Sequence, residues 1–202
     1  MQRIFTLCLI LLITACSGDE GPRLNTLPHD AVILAFGDSL TYGTGTTEES
    51  SYPAMLEQLS GRQVINAGIP GELSAGGLAR LADTLEEHQP QLLILCLGGN
   101  DMLRQKSVQE VEKNLEEMVT ISRELGVPVL LLGVPRPAIF SLQSAPFYYT
   151  LADRLQLLLE AEIIPEVLSD RELRSDQIHP NTEGYRLLAR AVFNKLKDSG
   201  AL

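Results

Sequence analysis

At 202 residues, 45% of them hydrophobic, the chain is long enough for one well-formed core and too short for two ordinary domains to be the expectation. Its formal charge is −10 and its sequence pI about 4.8. That balance counts against a nucleic-acid partner, which needs a cationic footprint.

The chain opens with "MQRIFTLCLILLITACSGDE". Arg3, an apolar stretch from Ile4 to Ile13 and small residues up to Cys16 make a secretory signal, too short for the roughly 20 apolar residues that span a bilayer. "ITAC" resembles the bacterial lipobox. The resemblance implies cleavage after residue 15, lipidation of Cys16 and, with Ser17 next, sorting to the outer membrane facing the periplasm. An ordinary signal peptide cut near "SGDE" is the alternative. With Cys16 lipidated and Cys96 inside the apolar run "LLILCLGG", no intrachain disulfide is expected.

Residues 16–30 are polar and rich in Gly and Pro, which predicts a tether, with the folded domain over 31–202. Within it, "AVILAF" (31–36), "QVINA" (63–67), "LLILCLG" (92–98) and "PVLLLGV" (128–134) read as parallel strands buried on both faces. "EIIPEV" (162–167) is a weaker fifth candidate. Between them, residues 53–61, 74–89 and 107–126 carry apolar side chains at three- and four-residue intervals, and Gly61, Gly126 and Pro90 supply stop signals. A last helix covers 181–200. The alternation predicts an α/β fold, a three-layer, doubly wound (flavodoxin-like) parallel sheet of about five strands.

In such sheets ligands bind beyond the carboxyl ends of the strands. The polar, glycine-rich segments follow that rule: "GDSLTYG", "GIPGELS", "GGND" and "RPAIF" come after the four clear strands. In "GDSL" alone, Asp38 and Ser39 could simply be a helix cap and a turn. A serine nucleophile needs a neutral imidazole as base. The chain's histidines are His29 in the tether, His88 at a helix end, and His179 in "SDQIHPNTEGY". Asp176, three residues before His179, is placed to hold the imidazole Nδ1–H and leave Nε2 for the serine proton. Asn100 of "GGND" is an oxyanion donor or an Asx-turn residue, and the N–H groups of Ser39 and Gly71 would complete the hole. No His/Cys/carboxylate cluster has metal-ligand spacing, so no metal or cofactor is implied.

Taken together, "FGDSLTYG", "NAGIPGELSAGGLARL", "LGGND" and "DQIHPN" resemble the four blocks of the GDSL, or SGNH, hydrolase family over about residues 31–196. The resemblance implies Ser39 as nucleophile, His179 as base, Asp176 as its orienting acid, and Ser39, Gly71 and Asn100 as oxyanion donors. Gly71 is preferred to Gly68 because it precedes the polar "ELS". "GLARL", "QP" and "RPA" resemble the bacterial thioesterase I, lysophospholipase and arylesterase subgroup, which implies a small-molecule acyl ester or thioester as substrate. A carbohydrate O-acetylesterase of the same family and a non-catalytic lipoprotein binding module are the alternatives. Residues 135–149 carry Phe140, Phe147, Tyr148 and Tyr149. They read either as a loop beside the crevice or as aromatics packed on the core.

Overall fold

The computed structural model describes residues 22–136 and 143–202. In chain order the elements are β1 (Val32–Gly37), α1 (Ser39–Tyr42), α2 (Tyr52–Ser60), β2 (Gln63–Gly68), α3 (Ser74–His88), β3 (Leu92–Cys96), α4 (Gly99–Leu103), α5 (Val108–Glu124), β4 (Val129–Leu132), α6 (Pro146–Leu155), β5 (Leu158–Glu160), α7 (Ile163–Ser169) and α8 (Thr182–Asp198). The five strands form one sheet in the order β2-β1-β3-β4-β5. All four pairings are parallel.

Near-continuous apolar strands belong in a sheet covered on both sides. Ile33 to Phe36 of β1 and all of β3 are fully buried. Among the helices, α2 and α7 pack on α8, while α3 and α6 pack on α5, giving the two covering layers. The order of the strands reverses at β1, which lies between β2 and β3. In such sheets the switch point is where a ligand crevice lies, at the carboxyl ends of β1 and β3, and Ser39 and Asn100 follow these two strands.

Three expectations are corrected. The segment 162–167 is not a strand: Ile163–Ser169 is a short helix, and the fifth strand is Leu158–Glu160. Ile163, Ile164, Pro165, Val167 and Leu168 are all buried, and only Glu166 and Ser169 of the helix are exposed, so its polar face is too narrow and its length too short for the period to stand out in the sequence. Pro165 sits in its first turn, where no backbone N–H is needed. Ordered contacts also begin before Ala31. Leu24 and Leu27 donate their N–H groups to the carbonyls of Ser199 and Ala201, and Leu27 is buried. Finally, residues 146–149 belong to α6 and not to a loop. Phe147 and Tyr148 are buried with ring centroids 4.2 Å apart, Tyr149 is exposed, and Phe140 lies outside the described residues. Cys16 and the expected signal segment lie outside them too; among the described residues no helix is long and apolar enough to cross a membrane.

Candidate active site

β1 ends at Gly37 and the chain turns at once into α1, whose first residue is Ser39. Asp38 caps this helix: its Oδ1 accepts the Leu40 N–H at 3.0 Å. The short, capped turn lifts Ser39 out of the sheet edge. Tyr185 of α8 donates its hydroxyl to the Thr44 carbonyl at 2.9 Å, and Thr46 and Thr182 share a 2.6 Å hydroxyl contact. These bonds tie the segment after Ser39 to the start of α8, just downstream of His179.

His179 is delivered by the loop that leads into α8. Ser175 N–H donates to the His179 carbonyl at 2.9 Å, Arg174 and Pro180 form an isolated bridge, and Asn181 caps α8 through the Gly184 N–H. Within this loop Asp176 Oδ1 accepts the N–H groups of Ile178 (2.8 Å) and His179 (2.9 Å). Its Oδ2 lies 2.8 Å from His179 Nδ1, and His179 Nε2 lies 3.0 Å from Ser39 Oγ. The structure thus brings Asp176, His179 and Ser39 into one hydrogen-bonded line. Partial burial works to raise the Asp176 carboxyl, but hydrogen bonds from the His179 ring and the Ile178 N–H, with the His179 charge, hold it below its ordinary range. A carboxylate that stays ionised fixes the tautomer with Nδ1 protonated and Nε2 free to accept a proton.

The other side of the crevice is built by the turns after β2 and β3. Gly71 has φ of +79°, a left-handed conformation in which a side chain would be strained, and its N–H makes no hydrogen bond to another described residue. Gly68 serves a different purpose, since a Cβ there would strike the backbone nitrogen of Tyr42. Asn100 on α4 directs Nδ2 to Asp38 Oδ2 at 3.0 Å and to the Glu72 carbonyl at 3.1 Å. Both amide hydrogens therefore have acceptors in the free protein. Burial pushes the Asp38 carboxyl up to about 7, against the pull of the Leu40 N–H, the Asn100 amide and the His179 charge.

Several supporting residues escaped the sequence reading. Asp101, buried, accepts the Ser74 N–H (2.9 Å) and hydroxyl (2.8 Å), so it caps α3 from α4. Only its place beside Asn100 hinted at this. Arg80 and Glu72 form an ion pair at 2.7 Å. Their opposite charges around the start of a helix were the available signal. Tyr148 donates to the Leu97 carbonyl at 2.7 Å, bracing the turn that carries Asn100. His29 and His88 stay apart from the site, in the segment before β1 and at the end of α3.

Comparison with known proteins shows the family of the chain. A GDSL-like lipase/acylhydrolase family model matches residues 35–187. An arylesterase of Vibrio mimicus is 30% identical over 206 residues, 97% of this chain and 98% of that protein. The thioesterase 1/protease 1/lysophospholipase L1 of Escherichia coli K12 is 30% identical over 172 residues, 82% of this chain and 83% of its own length. Among solved structures, that of TesA aligns with a TM-score of 0.76 at 30% identity, covering 83% of this chain and 99% of that one. With the family model spanning the strands and turns that carry Ser39, Gly71, Asn100 and His179, the chain belongs to the GDSL-like lipase/acylhydrolase family.

Proposed function

We propose that the protein is a serine esterase that hydrolyses acyl esters or thioesters through an acyl-enzyme formed on Ser39. The observation that carries this reading is the 3.0 Å contact between His179 Nε2 and Ser39 Oγ, continued by the 2.8 Å contact to Asp176. Ser39 Oγ attacks the substrate carbonyl carbon while its proton passes to His179 Nε2. The carbonyl oxygen becomes an oxyanion, stabilised by the N–H groups of Ser39 and Gly71 and by Asn100 Nδ2. A charged oxygen accepts a stronger bond than a neutral carbonyl, so it competes well with the Glu72 carbonyl for the second amide hydrogen of Asn100. The protonated His179 then gives its proton to the leaving alcohol or thiol, and water, activated by the same imidazole, releases the acid.

The crevice edge favours an apolar acyl group. Tyr42, Ile69, Leu103 and Ile178 are exposed large apolar residues, and they sit at the ends of α1, β2 and α4 and beside His179. Burial of even part of such surface against an alkyl chain is favourable by about 0.8 kcal/mol per methylene. Lipidation of Cys16 and a place at the outer membrane belong to the same proposal and rest on "ITAC" and Ser17. Residues 24–27 leave the domain beside the carboxyl-terminal end of α8, whereas its first residue, Thr182, touches the Ser39 side through Thr46. A tether there presents the crevice away from its anchor.

The test is hydrolysis of p-nitrophenyl esters from acetate to palmitate by the domain without its leader, compared with Ser39→Ala. Turnover of short to medium chains that disappears in the variant is the expected result. Turnover of acetate alone would point instead to a carbohydrate deacetylase, and none at all to a binding module.

A further inference from the structure

Glu72 stands between two of the proposed oxyanion donors. It follows Gly71 directly in the chain, and its carbonyl accepts the Asn100 amide at 3.1 Å. Its side chain is nearly buried and is gripped from α3 by Arg80: Nε to Oε1 and Nη2 to Oε2, both at 2.7 Å. The same guanidinium donates to the Ala67 carbonyl at 2.9 Å, with a longer 3.4 Å contact to the Gly37 carbonyl, and lies 3.8 Å over the Phe36 ring. Ala67 is near the end of β2, and Phe36 and Gly37 end β1. One side chain therefore connects the ends of the two strands that lead to Ser39 and Gly71 with the turn between Gly71 and α3. Gly76 leaves room for the Glu72 side chain, since a Cβ there would meet Glu72 Cγ at 3.3 Å.

A nearly buried ion pair is a poor source of stability, because desolvation offsets most of the Coulomb attraction. A two-pronged Arg–carboxylate fork is instead strongly directional. We propose that the Arg80–Glu72 pair is a positioning device for the oxyanion hole, fixing the Gly71 N–H and the Asn100 amide at the separation the tetrahedral intermediate requires. The proposal rests on the esterase reading above and adds Arg80 and Glu72 to it as positioning residues, neither of which touches the reacting atoms. Small misplacements of such donors are costly, because the donors act on charge that develops only in the transition state.

The experiment compares Arg80→Ala, Arg80→Lys, Glu72→Gln and Ser39→Ala with the wild type, well below their melting temperatures, on one p-nitrophenyl ester. Arg80→Ala and Glu72→Gln are expected to lower kcat by about 10- to 100-fold with KM within about twofold. Arg80→Lys keeps the charge but not the fork and should recover part of the loss. Affinity for a trifluoromethyl ketone, which forms a tetrahedral adduct, should fall in step with kcat/KM, while affinity for the product carboxylate holds. A merely structural pair would lower the melting temperature and leave kcat and the ketone affinity in place, and that result in the folded Arg80→Ala and Glu72→Gln variants would overturn the proposal. Full turnover by Ser39→Ala would instead overturn the esterase reading itself.

Discussion

Asn100 Nδ2 donates to Asp38 Oδ2 at 3.0 Å, joining residues 62 positions apart at the carboxyl ends of adjacent strands. Asp38 is buried, and its carboxyl titrates near 7 in the folded protein against an ordinary 3.8. A folded state that holds a proton which the unfolded chain has released gains stability at low pH. The Asp38 contribution is therefore full below about pH 4 and is lost as pH rises toward 7. Asp38→Asn removes that dependence. Alongside a constant offset, its stability relative to the wild type should improve by on the order of a few kcal/mol between pH 4 and 8, read from denaturant midpoints. A difference that does not vary with pH would contradict the assigned burial cost.

Asn100→Ala removes the proposed side-chain oxyanion donor and also frees Asp38 Oδ2 and the Glu72 carbonyl. A loss of about 100- to 1,000-fold in kcat with KM little changed is expected from steady-state kinetics. A rise in KM at constant kcat would mean that Asn100 binds substrate and transition state equally.

Asp176→Asn keeps the loop contacts possible but no longer favours the protonated Nδ1 of His179. The fall in kcat should be about 100-fold or more, less severe than for a fully buried triad acid because Asp176 is 55% exposed and water can partly replace it. Steady-state kinetics of Asp176→Asn and His179→Ala, with the histidine variant the worse of the two, provide the check.

Gly68 and Gly71 are separable by stability. A Cβ on Gly71 meets only Arg104 Nη2 at 3.6 Å, so Gly71→Ala costs about 1 kcal/mol of left-handed strain and shows its effect in activity. A Cβ on Gly68 runs into the backbone of Tyr42, so Gly68→Ala is expected to destabilise by about 3 kcal/mol or to prevent folding. Thermal melts of the two variants would show the difference.

β1, β3 and β4 and the residues on their carboxyl ends were legible because a parallel sheet buried on both faces leaves long Val/Ile/Leu runs, and polar, glycine-rich turns interrupt them sharply; β2 is a strand as expected but, at the sheet edge with only Val64 buried, is not covered on both faces. The fifth strand was not, because Leu158–Glu160 is three residues long and stands two residues before the helix Ile163–Ser169, whose "IIPEV" has the denser run of apolar residues. Glu160 marks the boundary only in three dimensions, where its Oε1 accepts the N–H groups of Glu162 and Ile163. In the same way "GLARL" was visible as a motif, yet the role of Arg80 depends on where the β1 and β2 carbonyls end, which no spacing in the sequence specifies. Tyr148 read equally well as lining or as core until its hydroxyl was placed on the Leu97 carbonyl.

The most direct test of the account is covalent labelling of the protein with a p-nitrophenyl phosphonate, followed by peptide mass spectrometry. One equivalent of adduct on Ser39, absent from Ser39→Ala and formed far more slowly by His179→Ala, is the predicted result. Labelling at another residue, or esterase turnover that survives in Ser39→Ala, would contradict it.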